Sequence, residues 1–213
     1  MAKLNYEDQE SWPFESGKRQ SPMDLHFAQA KKMPSAADLQ LAYSQVASYA
    51  KDTGRGIEVG SSGQAMINQR PFSLQQFHFH APSEHLLDGQ DFPAEVHFVH
   101  EAADGQLAVI AVFLTVGQTS PAITSILHQL GASEKFACDV EKLLPKDRSY
   151  FHYLGSLTTP PLTETVEWYV MTHPVELSAL QLKEFHQLYE HNNRKIQAMN
   201  DRPLLYFQAK EPS

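Results

Sequence analysis

The 213-residue chain contains one cysteine, Cys138. An intrachain disulfide is therefore excluded, and so is any metal site built from several thiolates. Positive charge is in short supply as well. The 17 Lys and Arg stand against 25 Asp and Glu, a formal charge of -8, and no basic run could form a local nucleic-acid surface. No apolar stretch reaches the roughly 20 residues a membrane-spanning helix needs. The N-terminus turns acidic at Glu7 and Asp8, where a secretory signal would carry an apolar run. A cytoplasmic protein is expected on that reading; a secreted or periplasmic chain with its signal removed would look the same. Internal repeats, low-complexity tracts and sharp shifts of composition are absent. With 42% hydrophobic residues, positions 1–213 are expected to fold as one domain around a sizeable core.

What the chain does have is histidine, arranged to carry a metal that sulfur cannot. Gln76-Phe-His-Phe-His80 is followed by Glu95-Val-His-Phe-Val-His100. In a strand, side chains two apart share a face, so His78 and His80 look one way and Phe77 and Phe79 the other. On the second segment Glu95, His97 and Val99 share a face, and His97 completes a trio. Three neutral imidazoles leave a tetrahedral zinc one open position, the arrangement of catalytic sites. Gln76, Glu84 and Glu95 are the nearby groups that could take the second ring N–H of a ligand. By alternation His100 points away from the trio, and His85 and His100 are expected inside the packing. The other histidines, including His152 and His191, are expected at the surface.

Residues 1–35 lack periodicity and are expected to wrap the domain irregularly, pinned by Trp12 and Phe14. Between Asp38 and Gly63 short β-leaning pieces alternate with turns, one of them placing Arg55 between Gly54 and Gly56. Asp88-Gly89 marks a turn between the histidine segments, and Pro82 and Pro93 discourage a helix there. Leu107 to Leu114 is apolar without alternation, as in a strand buried on both faces. Ser120-Pro121 starts a short helix and Gly131 follows its end. A second helix starts at Ser178, with Gln181 completing a capping box. The expected architecture is mainly β (α+β), a large sheet with peripheral short helices.

The stretch Gly155-Ser-Leu-Thr-Thr-Pro-Pro161 adds a further motif. Together with the histidine segments, Ser83-Glu-His85, Gln20-Ser-Pro-Met-Asp24 and Asn192-Asn-Arg194, it resembles the α-class carbonic anhydrases of bacterial type, over nearly the whole chain. The resemblance implies a mostly antiparallel twisted sheet and one zinc per chain on His78, His80 and His97. It implies reversible hydration of carbon dioxide to bicarbonate and a proton by zinc-bound hydroxide, with weak esterase activity as a secondary expectation. Gln76, Glu95 and the Asn192 carbonyl would orient the ligands, and Glu84 would hold the Thr158 hydroxyl. Val99, Val109, Leu157 and Trp168 would wall the carbon dioxide pocket, with Thr158 and Thr159 beside them. Pairing as a homodimer is common among bacterial members with short loops. One position departs from the better-known members: Arg55 aligns with their proton-shuttle histidine. A cupin-like reading of His78-x-His80-x-x-x-Glu84 fails because the second cupin motif is missing.

Overall fold

The computed structural model describes residues 3–13, 17–33 and 39–209. Phe14, expected to pin the N-terminal wrap, lies outside them. Trp12 lies within them, buried edge-on against Tyr6 and grouped with Leu162, with its indole N–H donating to the Asn5 carbonyl. The N-terminal segment is largely irregular, as expected, but its pieces Asp24–Leu25 and Lys31–Lys32 join sheets as two-residue strands.

An eleven-stranded sheet organises the chain. Its path runs Lys31–Lys32, Leu205–Phe207, Tyr150–Ser156, Glu164–Leu177, Leu107–Val116, Ala94–Glu101, Arg70–His80, Ile57–Gly60 and Tyr49–Asp52. Gly63–Ile67 and Gln40–Tyr43 extend it off this path. Pairing is mostly antiparallel; the central Leu107–Val116 and Glu164–Leu177 pair runs parallel.

The central strand is apolar from Leu107 to Leu114 because both its faces are covered there. Ala108, Ile110, Val112 and Leu114 enter one core with Phe77, Phe79, Val96 and Phe98. Val109, Ala111 and Phe113 enter a second core on the other face, with Phe151, Trp168 and Val170. Full burial of each large side chain is worth about 1.5–3 kcal/mol, so the sheet is clamped from both sides.

Helices α1 (Pro121–His128) and α2 (Ala179–Leu188) cover the first core through Ile123, Ile126 and Phe185. Both caps form as the sequence predicts. Ser120 Oγ accepts from Ile123 N–H, and Ser178 and Gln181 close a capping box. Gln181 does more than cap α2, since its side chain also bonds the backbone N–H and carbonyl of Ser120, tying the two helix starts together.

One irregularity sets up the site. The pairing of Arg70–His80 with Ala94–Glu101 skips Gln75, so Gln76 opposes Val99 while Leu74 opposes His100. A bulge of this kind reverses the facing of every later side chain. Phe72 and Leu74 therefore lie in the first core, whereas Gln76, His78 and His80, of the same parity, face the opposite side.

Candidate active site

Register brings the three histidines together. His78 lies opposite His97, and His80 opposite Glu95. The ring centroids are 5.1 Å apart for His78 and His80, 5.3 Å for His78 and His97, and 4.6 Å for His80 and His97. One nitrogen from each ring falls within 4.8 Å of the others.

Which nitrogen faces inward is decided by what holds the other one. His78 Nδ1–H donates to Gln76 Oε1 at 2.9 Å. His80 Nδ1–H donates to the Asn192 carbonyl at 2.7 Å. His97 Nε2–H donates to Glu95 Oε1 at 2.9 Å. Each acceptor fixes a tautomer, leaving bare lone pairs on His78 Nε2, His80 Nε2 and His97 Nδ1. Burial pushes His78 well below its ordinary pKa, and the neighbouring imidazoles push it further. Burial likewise lowers His80. Neutral rings with bare nitrogens are what a metal requires.

Two buried atoms here have no hydrogen-bond partner, His80 Nε2 and Glu84 Oε2, and they face one another at 3.5 Å. A lone pair against a carboxylate oxygen is unfavourable without a positive centre close by. The donor set thus fits a divalent cation such as zinc. His85, Glu95 and His97 also cluster within 4.8 Å, but their 2.7 and 2.9 Å contacts are hydrogen bonds to one carboxylate, so that group is already satisfied.

Glu95 is fully buried and shared. Its Oε1 accepts from His97 and His85, and its Oε2 from the backbone N–H groups of Glu84 and His85. Burial alone would raise this carboxyl, but the two imidazoles and their hydrogen bonds hold it well below the usual carboxylate range. Beyond His85, Tyr153 OH lies 2.6 Å from His85 Nε2 and 2.9 Å from Ser21 Oγ. Sequence reading placed His85 in packing and missed Tyr153 and Ser21. No local pattern links residues 21, 85 and 153, so only a buried tyrosine's need for a polar partner could have pointed to them.

The remaining predicted residues distribute as follows. Asn192 also accepts from Ala81 N–H and donates to the carbonyls of Phe79 and Arg55, so one side chain ties the end of the first histidine strand to the Arg55 turn. Val99, Val109 and Trp168 form a row across three adjacent strands, with half-buried Leu157 packed against the same core. Trp168 Nε1–H donates to the Ser156 carbonyl at 3.0 Å, which uses up its only polar atom. Thr158 is buried, and Glu84 Oε1 accepts from Arg194 N–H at 2.7 Å. The expected Thr158–Glu84 hydrogen bond is not formed, and Glu84 Oε2 stays free to accept it.

Arg55 and Thr159 line the cleft above His78 and His80, along with Glu58, whose carboxylate meets Tyr49 OH at 2.8 Å and Lys51 Nζ at 2.9 Å. The Arg55 turn is held rigidly. Its carbonyl accepts from Tyr6 OH and Asn192 Nδ2, and a Cβ at Gly56 would meet Asn192 Nδ2 at 2.7 Å and the Phe79 carbonyl at 2.8 Å, so only glycine fits there.

His100 is buried with Nε2 at 2.8 Å from Tyr43 OH. Of the two histidines expected at the surface, His191 lies there, its side chain 33% exposed, and His152 does not. His152 is half-buried, stacked on Tyr169 with its Nδ1–H donating to the Trp168 carbonyl, because its strand is an inner one of the sheet. His191 meets the exposed carboxylate of Glu7 at 3.1 Å.

The family model for eukaryotic-type carbonic anhydrase matches residues 7–209. The chain belongs to the carbonic anhydrase family. A carbonic anhydrase of Pectobacterium atrosepticum is 40% identical over 202 residues, covering 90% of this chain and 81% of that protein. Human carbonic anhydrase 7 is 35% identical over 211 residues, covering 83% of this chain and 80% of that protein. Among solved structures, the α-carbonic anhydrase of Thermovibrio ammonificans in complex with sulfanilamide superposes with a TM-score of 0.83 at 39% identity, covering 89% of this chain and 87% of that one. Carbonic anhydrases are lyases that hydrate carbon dioxide, and this chain is an enzyme of that kind. No described helix is long and apolar enough to cross a membrane.

Proposed function

We propose that this carbonic anhydrase interconverts carbon dioxide and bicarbonate as a single catalytic domain with one zinc held by His78 Nε2, His80 Nε2 and His97 Nδ1. The observation that carries this reading is the set of three bare nitrogens within 4.8 Å, each turned inward by an acceptor on its ring's other nitrogen. Zinc so bound makes a water acidic enough to act as a nucleophile near neutral pH, a property for which this family is the standard example.

The chain's own groups do the rest. Glu95, Gln76 and the Asn192 carbonyl keep the rings from rotating. Arg194 N–H anchors one oxygen of Glu84, and the other accepts the Thr158 hydroxyl proton once that side chain turns toward it. Thr158 Oγ1 is then left as an acceptor, which aims the lone pair of the attacking water. Val99, Val109, Leu157 and Trp168 offer carbon dioxide an apolar wall, favouring a nonpolar substrate over water. A guanidinium stays protonated far above neutral pH, so Arg55 cannot take up and release the proton the reaction produces. Export is then carried by buffer or by another group near the cleft, with Glu58 placed for it.

Stopped-flow hydration of carbon dioxide by zinc-loaded protein, beside a chelated control, tests the reading. Zinc-dependent turnover that rises with imidazole-type buffer is expected, and Arg55→His should raise turnover at low buffer. Absence of zinc-dependent hydration would sink the proposal. Weak hydrolysis of activated esters is a secondary expectation, checked by release of a chromogenic alcohol.

A further inference from the structure

Arg194 has a second role open to it. The residue is only 8% exposed. Its Nη1 donates to Gln20 Oε1 at 2.8 Å and to the Ser21 carbonyl at 2.7 Å. Among the described residues, Nε and Nη2 make no hydrogen bond, and the guanidinium has no carboxylate within ion-pair distance. Three N–H donors of this largely buried cation thus make no hydrogen bond to the protein; they are not sealed from solvent, and Glu84 is the nearby anion whose charge favours the cation. Arg194 lines a cleft of about 370 Å³, on a different set of residues from the histidine cleft. Lys18 stands in the same wall without an ion-pair partner among the described residues, against the single carboxylate of Glu10. The neighbouring amides are mostly committed: Gln20 Nε2 to Leu162 and Glu164, Gln197 Nε2 to Lys195, and Asn200 Nδ2 to Lys18.

We propose that this cleft binds a small oxyanion, a carboxylate or phosphate group, on the Nε and Nη2 fork of Arg194 with Lys18 as second cation. The fork offers two parallel N–H donors at the spacing of two oxygens on one carbon or phosphorus, the geometry in which arginine outperforms lysine. Occupancy would reach the catalytic cleft through a single residue, because Arg194 N–H is also what holds Glu84 Oε1. The inference stands independently of the zinc reading.

The test is a titration of ¹⁵N-labelled protein with inorganic phosphate and, separately, with acetate at constant ionic strength. Saturable shifts are expected at Arg194 Nε–H and at the amides of Lys18 and Arg194, with a Kd on the order of 1 mM, as suits two or three charge-assisted hydrogen bonds. Phosphate tighter than acetate would identify a phosphate site, and the reverse a carboxylate site. Lys18→Gln, a change at an exposed position, should weaken binding about threefold, and Arg194→Lys should abolish saturation by removing the fork. Shifts that stay linear with concentration, or that saturate only around His78 and His97, would overturn the proposal. So would a Kd that Lys18→Gln leaves unchanged.

Discussion

His97 and His100 stand three residues apart on one strand, and both are buried. His97 faces His78 and His80 and gives its Nε2–H to Glu95, itself braced by His85 and the backbone. His100 faces the other core and meets one phenol, Tyr43. Burial is equal, so burial does not separate them. The difference is the anion: a carboxylate behind His97 makes its ring a better donor of electrons to a cation, whereas His100 has a phenol on Nε2 and no hydrogen-bond partner on its buried Nδ1 among the described residues. Position on a face decides which histidine can be a ligand, and the partner behind it decides how good a ligand it is.

The largest effect should come from exchanging the roles directly. His97→Ala is expected to lose both the zinc and the activity, while His100→Ala should keep one zinc per chain and lose about 2–4 kcal/mol of stability. Metal analysis and urea melts of the two proteins check this, and a His97→Ala protein with full zinc would discard the ligand set. Next in size, Thr158→Ala should retain zinc and lower turnover about a hundredfold, since its proposed task is orientation. Unchanged kinetics would remove Thr158 from the mechanism. Glu95→Gln probes the anion itself: zinc affinity should fall about 10–100-fold, measured by competition with a chelator. An unaltered affinity would leave the carboxylate without the role assigned to it.

The most gradual effect is a pH slope belonging to the other face. Burial pushes His100 down to about 4 from its ordinary 6.5. The unfolded chain therefore takes up this proton first as pH falls. The stability is fully present above pH 6.5 and is lost progressively toward pH 4, at about 1.4 kcal/mol per pH unit. Urea melts of the parent and of His100→Gln across that range should differ in slope by this amount, and parallel curves would contradict it.

Much of this was readable in the chain because it depends on short-range rules. Alternation pointed His78, His80 and His97 toward one face, the unbroken apolar run predicted the central strand, and Ser120-Pro121 and Ser178 with Gln181 marked both helix starts. Each of these is settled by neighbours within a few residues. Tertiary structure decided what depends on distant partners. Simple alternation would have put Phe72 and Leu74 on the same face as the histidines, and only the bulge at Gln75 separates the core end of that strand from the site end. The bonds from Asn192 to His80, from Tyr153 to His85 and from Arg194 to Glu84 span 112, 68 and 110 residues. Their partners meet because the sheet and the C-terminal segment pack around a common centre, and a buried polar atom takes its bond from whatever the fold brings within reach.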